Sequence, residues 1–160
     1  MVKLFAQLCF ALVVFLLVSS YQEKDMLADS GTQPAPYFSL PTLSSQERVS
    51  LASLQGKKTV VYFFAPWCQV CKLSMPNLNK LYEQKDINAI AIALDYDNVE
   101  QIQKFASDLD LTLPILLGNH NISANYQISA YPSYYVLDEN SNIIARAVGY
   151  SSELGLRLRL

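Results

Sequence analysis

Cysteine and histidine are scarce in this chain of 160 residues, which has three cysteines, Cys9, Cys68 and Cys71, and one histidine, His120. A structural zinc site takes four Cys or His ligands. Cys9 sits in an apolar run apart from the others, so that site is excluded. Charge is sparse too, at 16% of residues with a net charge of -2. The basic residues are dispersed, which leaves no electrostatic footprint for nucleic acid. Only one long apolar run occurs, near the N-terminus, and no second span follows it. With 51% apolar residues, the chain has material for one domain with a real core.

The apolar run lies in residues 1–20. It opens with Met1-Val2-Lys3 and continues over residues 4–18, interrupted only by Gln7. At about 1.5 Å per residue it spans roughly 22 Å against a bilayer core of about 30 Å, short for a spanning helix. Val18-Ser19-Ser20 is an imperfect match to an A-x-A cleavage site. A signal peptide and a retained membrane anchor both stay open. Either exports the remainder of the chain to a periplasmic or other extracytoplasmic compartment, where proteins contain disulfides. Residues 21–35 carry Glu23, Lys24, Asp25, Asp29, Gly31 and Pro34 with no apolar period, which predicts a flexible tether. The folded domain is expected over residues 36–160.

Trp67-Cys68-Gln69-Val70-Cys71-Lys72 follows the apolar run Val60-Val61-Tyr62-Phe63-Phe64 and opens a helical pattern. Two cysteines three apart at a helix start put the first sulfur at the exposed tip and the second one turn inward, close enough to form a disulfide ring. The unsatisfied N–H groups and the positive dipole end favour the Cys68 thiolate, lowering its pKa below the free value of about 8.5. Cys68 is therefore the expected nucleophile and Cys71 the resolving thiol. No metal and no cofactor beyond this dithiol is called for.

Periodicity predicts the elements around the motif. Residues 37–40 and 48–51 form a hairpin across a polar turn, and residues 59–64 a buried strand. A helix runs over residues 68–84, with Met75, Leu78 and Tyr82 on one face and Pro76 removing one backbone hydrogen bond. A strand over residues 89–94 precedes a helix marked by Val99, Ile102, Phe105 and Leu109, with Asn98 and Gln101 in the form of a capping box. Residues 114–117 form a short strand and 122–128 a short helix. Residues 134–137 and 143–148 form an antiparallel hairpin. The fold class is α/β, a central mixed sheet flanked by helices with an N-terminal β-hairpin extension. In the tail, Leu154, Leu156, Leu158 and Leu160 alternate as in a strand, while Ser151 or Ser152 could cap a helix. Periodicity favours the strand.

Together, Ala35-Pro36-Tyr37-Phe38-Ser39-Leu40, Leu51-Ala52-Ser53-Leu54-Gln55-Gly56-Lys57, the run from Val60 to Lys72, and Tyr131-Pro132-Ser133-Tyr134-Tyr135-Val136-Leu137-Asp138 resemble the exported TlpA-like branch of the thioredoxin superfamily. The resemblance extends over nearly everything from Pro36 onward. It implies a thioredoxin fold, protein thiol–disulfide oxidoreductase activity, and a cis peptide bond at Tyr131-Pro132 facing the CxxC pair. Trp67, Tyr131 and Pro132 are then the substrate-binding residues. Two positions depart from the pattern. Tyr62 stands where thioredoxins proper have a buried aspartate, and Ser74 where TlpA-like proteins commonly have a glutamate. Each acid serves as a proton relay for the inner thiol, so the acceptor for the Cys71 proton stays open. Tyr62 reads as a core aromatic rather than a catalytic acid.

Gln69 and Val70 place no charge between the cysteines, which favours a reductase or exchanger over a strong oxidant. The expected partners are protein disulfide or thiol clients and a membrane electron donor. A disulfide-forming oxidase is one alternative. A copper-binding assembly factor using Cys68, Cys71 and His120 is another. A peroxidase of the superfamily would need a hydroxyl residue at Ala65. Asp95 and Asp97 read as solvated helix caps rather than metal ligands.

Overall fold

β3 (Thr59–Phe64) is buried at every residue, because it is covered on both faces and therefore reads as a continuous apolar run. The computed structural model describes residues 23–45, 47–85 and 87–160, with Gln7, Phe10 and Val14 as single positions. Apart from those three positions, the leader expected over residues 1–20 lies outside the described residues, as does Cys9. Among the described residues, no helix is long and apolar enough to cross a membrane.

Five strands form the main sheet in the order β5-β4-β3-β6-β7. β4 (Asn88–Ala93) runs parallel to β3, and β5 (Ile115–Leu117) runs parallel to β4. β6 (Ser133–Leu137) is antiparallel to β3, and β7 (Ile143–Val148) is antiparallel to β6. This is the expected mixed sheet. Its helices are α1 (Gln69–Glu83), α2 (Val99–Asp108), the short α3 (His120–Asn125) and α4 (Glu153–Arg157). Pro76 lies inside α1.

Alternation along β3 splits the core in two. Val60, Tyr62 and Phe64 face one cluster with Cys71, Met75 and Leu78 of α1 and Phe105 of α2. Val61 and Phe63 face the other, with Phe38, Leu40, Tyr126 and Tyr135. The expected hairpin is β1 (Ser39–Pro41) paired with β2 (Arg48–Ser50), Leu40 opposite Val49. It reaches the β5 edge through Leu43 N to Ile115 O at 2.8 Å.

Two expectations change. Residues 26–35 are built into the fold along the β7 edge rather than free as a tether. Gly31 N donates to Ile143 O at 2.9 Å, Ile143 N to Gln33 O at 2.8 Å, and Ala35 N to Ser141 O at 2.9 Å. Arg146 Nη1 donates to the carbonyls of Met26 and Leu27, both at 2.8 Å. Backbone pairing to an edge strand needs no apolar period, so the pattern did not reveal it. The tail, expected as a strand, is the helix α4. Ser152 Oγ accepts from Gly155 N at 3.2 Å as its cap. The alternating leucines do not share a buried face: Leu156 is buried whereas Leu154 and Leu158 are exposed. The ion pair Lys80–Glu153, at 2.7 Å, ties α4 to α1.

Candidate active site

Leaving β3, the chain makes a tight turn, with Cys68 N donating to Ala65 O at 3.0 Å, and enters α1. Cys68 is the N-cap residue, and its Sγ accepts from Cys71 N at 3.1 Å. A sulfur thus occupies the place that serine or aspartate oxygen takes in other caps. Cys68 and Cys71 are joined as a disulfide with their Cα atoms 5.3 Å apart. Cys68 is 5% exposed and Cys71 0%. The exposed tip expected for Cys68 is not seen in the oxidised form, where both cysteines are buried and the Cys68 sulfur is bonded to that of Cys71.

Trp67, 62% exposed, stands beside the pair. Its ring meets the Tyr131 ring edge-on at 5.8 Å between centroids, and its Nε1 donates to Asp95 O at 3.0 Å. The Tyr131 hydroxyl donates to Asp95 Oδ2 at 3.0 Å. Burial, then this bond and the nearby carboxylate charge, push the Tyr131 hydroxyl pKa up. The Tyr131-Pro132 bond is cis, as the resemblance implied. Pro132 is buried, and its carbonyl accepts from Gly149 N at 2.7 Å.

Asp95 is the residue that sequence reasoning missed. It is not a helix cap: Asn98 caps α2 through Gln101 N at 3.1 Å, while Asp97 bonds the Gln101 side chain. Asp95 follows the C-terminal end of β4 with φ 47°, a left-handed conformation that aspartate tolerates. From there it holds Trp67 by its backbone and Tyr131 by its carboxylate. Its position just past a parallel strand was the available signal, since sites in α/β sheets gather at that end.

Behind Cys71 the groups are hydroxyls. Ser74 Oγ accepts from Ser151 N at 3.1 Å, and Ser151 Oγ bonds the Tyr134 hydroxyl at 3.1 Å. Tyr62 stacks on Tyr134 with centroids 6.2 Å apart. The Tyr62 hydroxyl has no hydrogen-bond partner of normal geometry, although Ser74 is its polar neighbour, and burial drives its pKa well upward. Among the described residues no carboxylate is buried, and the two positions that depart from the acid pattern, Tyr62 and Ser74, carry hydroxyls.

His120 is exposed at the start of α3. No group of three or more Cys, His, Asp or Glu is placed to hold a metal among the described residues, so His120 does not join Cys68 and Cys71. A cleft of about 290 Å³ beyond Trp67, between Lys72 and the α2 residues Lys104 and Phe105, is lined by neither cysteine.

A CxxC disulfide capping the helix that follows the central strand of a thioredoxin-type sheet, with a cis-proline loop beside it, defines a thiol–disulfide oxidoreductase of the thioredoxin-like, TlpA-like kind. The chain belongs to the AhpC/TSA family, which matches residues 32–146. It is similar to the thioredoxin-like protein YneN of Bacillus subtilis, 35% identical with 90% of this chain and 86% of that protein covered. The thiol-disulfide oxidoreductase ResA of Oceanobacillus iheyensis is 31% identical, covering 83% of this chain and 72% of that protein. Among solved structures, a secreted disulfide oxidoreductase of Mycobacterium tuberculosis, described as homologous to E. coli DsbE, superimposes with a TM-score of 0.68. It is 26% identical, with 82% of this chain and 97% of that chain covered.

Proposed function

We propose that the protein is an exported reductase or exchanger of protein disulfides, with Cys68 as nucleophile, Cys71 as resolving thiol, and Trp67, Tyr131 and Pro132 against the client. The observation that carries this is the Cys71 N–H on Cys68 Sγ at 3.1 Å. That donor supports negative charge on the first sulfur and cannot serve its own side chain's sulfur in the same way. In the reduced protein the Cys68 thiolate attacks a client disulfide, forming a mixed disulfide and releasing one client thiolate. Cys71 then loses its proton and attacks Cys68 Sγ. The second client thiolate leaves, and the electron pair of the dithiol has passed to the client. Two electrons from a membrane donor, with two protons from water, restore the dithiol. The uncharged Gln69 and Val70 support the reducing direction, because no cation between the cysteines stabilises the thiolate form. The apolar run at residues 4–18, and the description of the mycobacterial relative as secreted, support export with or without anchoring.

Trapping tests the assignment. Full-length Cys71→Ser should accumulate mixed disulfides with client proteins on non-reducing gels, and Cys68→Ser should form few. The reverse pattern would show that the roles are exchanged. For export, an alkaline phosphatase fused after Leu160 should be active; a stable but inactive fusion would reject it.

A further inference from the structure

Among the described residues, the Tyr62 hydroxyl is the one buried side-chain oxygen or nitrogen without a hydrogen bond of normal geometry. A hydroxyl left so in a folded core is costly, and a redox or catalytic role is one reason for it to persist. Its neighbours are committed elsewhere. Ser74 Oγ accepts from Ser151 N at 3.1 Å and donates to Ser151 O at 3.4 Å, and the Tyr134 hydroxyl is bonded to Ser151 Oγ at 3.1 Å. Cys71, Ser74 and Leu78, spaced three and four apart, are buried on one face of α1, and Cys71 packs in the cluster that holds Tyr62 and Tyr134. Side chains on a helix lean toward its N-terminus, so Ser74 reaches back over the turn that holds Cys71. Ser74 is the polar neighbour of the Tyr62 hydroxyl. That hydroxyl therefore lies within about one helical turn of Cys71.

Exchange chemistry supplies the missing partner. In the disulfide the Cys71 sulfur is neutral and a weak acceptor. In the resolving step it is a thiolate, formed in a core where no cation or carboxylate is buried. Its own N–H is directed to Cys68 Sγ at 3.1 Å. An anion enclosed without a donor is costly. The ionisable groups buried with it are Cys68, Tyr62 and Tyr134, while Tyr82, Tyr96 and Tyr131 lie at the margin of the cluster and the Arg159 charge reaches Tyr134. Tyr134 is held by Ser151, which leaves Tyr62. Burial keeps the Tyr62 pKa well above its usual value, so this hydroxyl retains its proton and acts as a donor.

We propose that the Tyr62 hydroxyl donates a hydrogen bond to the Cys71 sulfur as that sulfur becomes the attacking thiolate. The inference rests on the reading of Cys71 as the resolving thiol. In the mixed disulfide, Cys71 gives its proton to water and Tyr62 keeps its own. The bond between Cys71 and Cys68 forms, the bond from Cys68 to the client sulfur breaks, and the client thiolate leaves with that electron pair. A carboxylate relay would take the proton itself; a neutral hydroxyl only lowers the energy of the anion left behind.

The test uses the reduced full-length chain carrying Cys9→Ser, so that two thiols remain, with dithiobis(2-nitrobenzoate) as the disulfide. Release of the first nitrothiobenzoate reports attack by Cys68, and release of the second reports resolution by Cys71. A hydrogen bond to a charged sulfur moves its pKa by about one unit. In Tyr62→Phe, which fills the same core volume, the pH midpoint of the second phase should rise by about that much while the first phase is unchanged. At pH 7 the second rate should fall about threefold rather than tenfold, because the less stabilised thiolate is the better nucleophile, with a Brønsted coefficient of about 0.4–0.5. Above both midpoints the order should reverse, with the variant resolving about threefold faster. Tyr134→Phe, whose hydroxyl is held by Ser151, should leave the midpoint in place. An unshifted midpoint in Tyr62→Phe, an equal loss in both phases, or the same shift in Tyr134→Phe would overturn the assignment. A wild type that stays as the nitrothiobenzoate mixed disulfide would reject Cys71 as the resolving thiol itself.

Discussion

Tyr62 on β3 and Tyr135 on β6 are both fully enclosed, on opposite faces of one sheet, yet their hydroxyls meet different fates. The Tyr135 hydroxyl donates to Tyr126 O at 2.7 Å and accepts from Leu27 N at 3.1 Å. It clasps the N-terminal segment and the turn after α3 to the sheet. The Tyr62 hydroxyl, on the face that carries the disulfide, is left without a hydrogen-bond partner of normal geometry. Both are enclosed by apolar neighbours, so burial alone does not set the contribution of a buried hydroxyl. What differs is whether backbone donors and acceptors from distant segments reach it. The clasped face is built for rigidity, and the redox face keeps neutral hydroxyls beneath a sulfur that changes state.

The largest expected effect comes from cutting the clasp. Tyr135→Phe strands the Leu27 N–H and the Tyr126 carbonyl, which should cost about 1–3 kcal/mol in urea unfolding. If stability is unchanged, the tyrosine is packing rather than clasp. Arg146→Ala should cost about 1 kcal/mol by removing two hydrogen bonds to the carbonyls of Met26 and Leu27. Faster amide exchange at Gly31 and Ala35, with β3 unaffected, would localise the loss to the segment.

Alkali gives a second test of the Tyr135 hydroxyl. Burial pushes the Tyr135 hydroxyl from 10.0 up to about 12. A folded-state pKa above the unfolded one means that its contribution is complete below pH 10 and lost as pH rises through about 12. Tyr135→Phe should therefore lose less stability than the wild type between those two values, measured by urea midpoint. Equal slopes would assign the loss to other groups. The smallest effect belongs to Tyr62→Phe, which removes a hydroxyl that makes no hydrogen bond of normal geometry. It should leave stability unchanged within about 0.5 kcal/mol, or raise it slightly. A loss above about 1 kcal/mol would show a partner that forms in solution.

Short-range pattern is enough to place β3, the CxxC turn and α1. An apolar run of strand length, two cysteines one turn apart, and helical spacing through Met75 and Leu78 are all properties of neighbouring residues. The same holds for α2, capped by Asn98, and for the hairpin of β6 and β7 around Asp138. Which cysteine lies at the helix start is set by order along the chain alone. Asp95 was misread because its partners, Trp67 and Tyr131, are 28 and 36 residues away. The segment at residues 26–35 was misread because it is held by backbone hydrogen bonds to β7, and a backbone amide leaves no mark in residue type.

Chain order and local periodicity determined most of the elements and the redox pair. Folding decided that Ser152 and Leu156 make the tail a helix, that Ser74 meets Ser151, and that Tyr135 is satisfied and Tyr62 is not. The division has a physical cause. Hydrophobic period and capping act within one or two turns of chain, whereas a hydrogen bond between residues 74 and 151 exists only once α1 and the end of β7 have been brought together by the core between them.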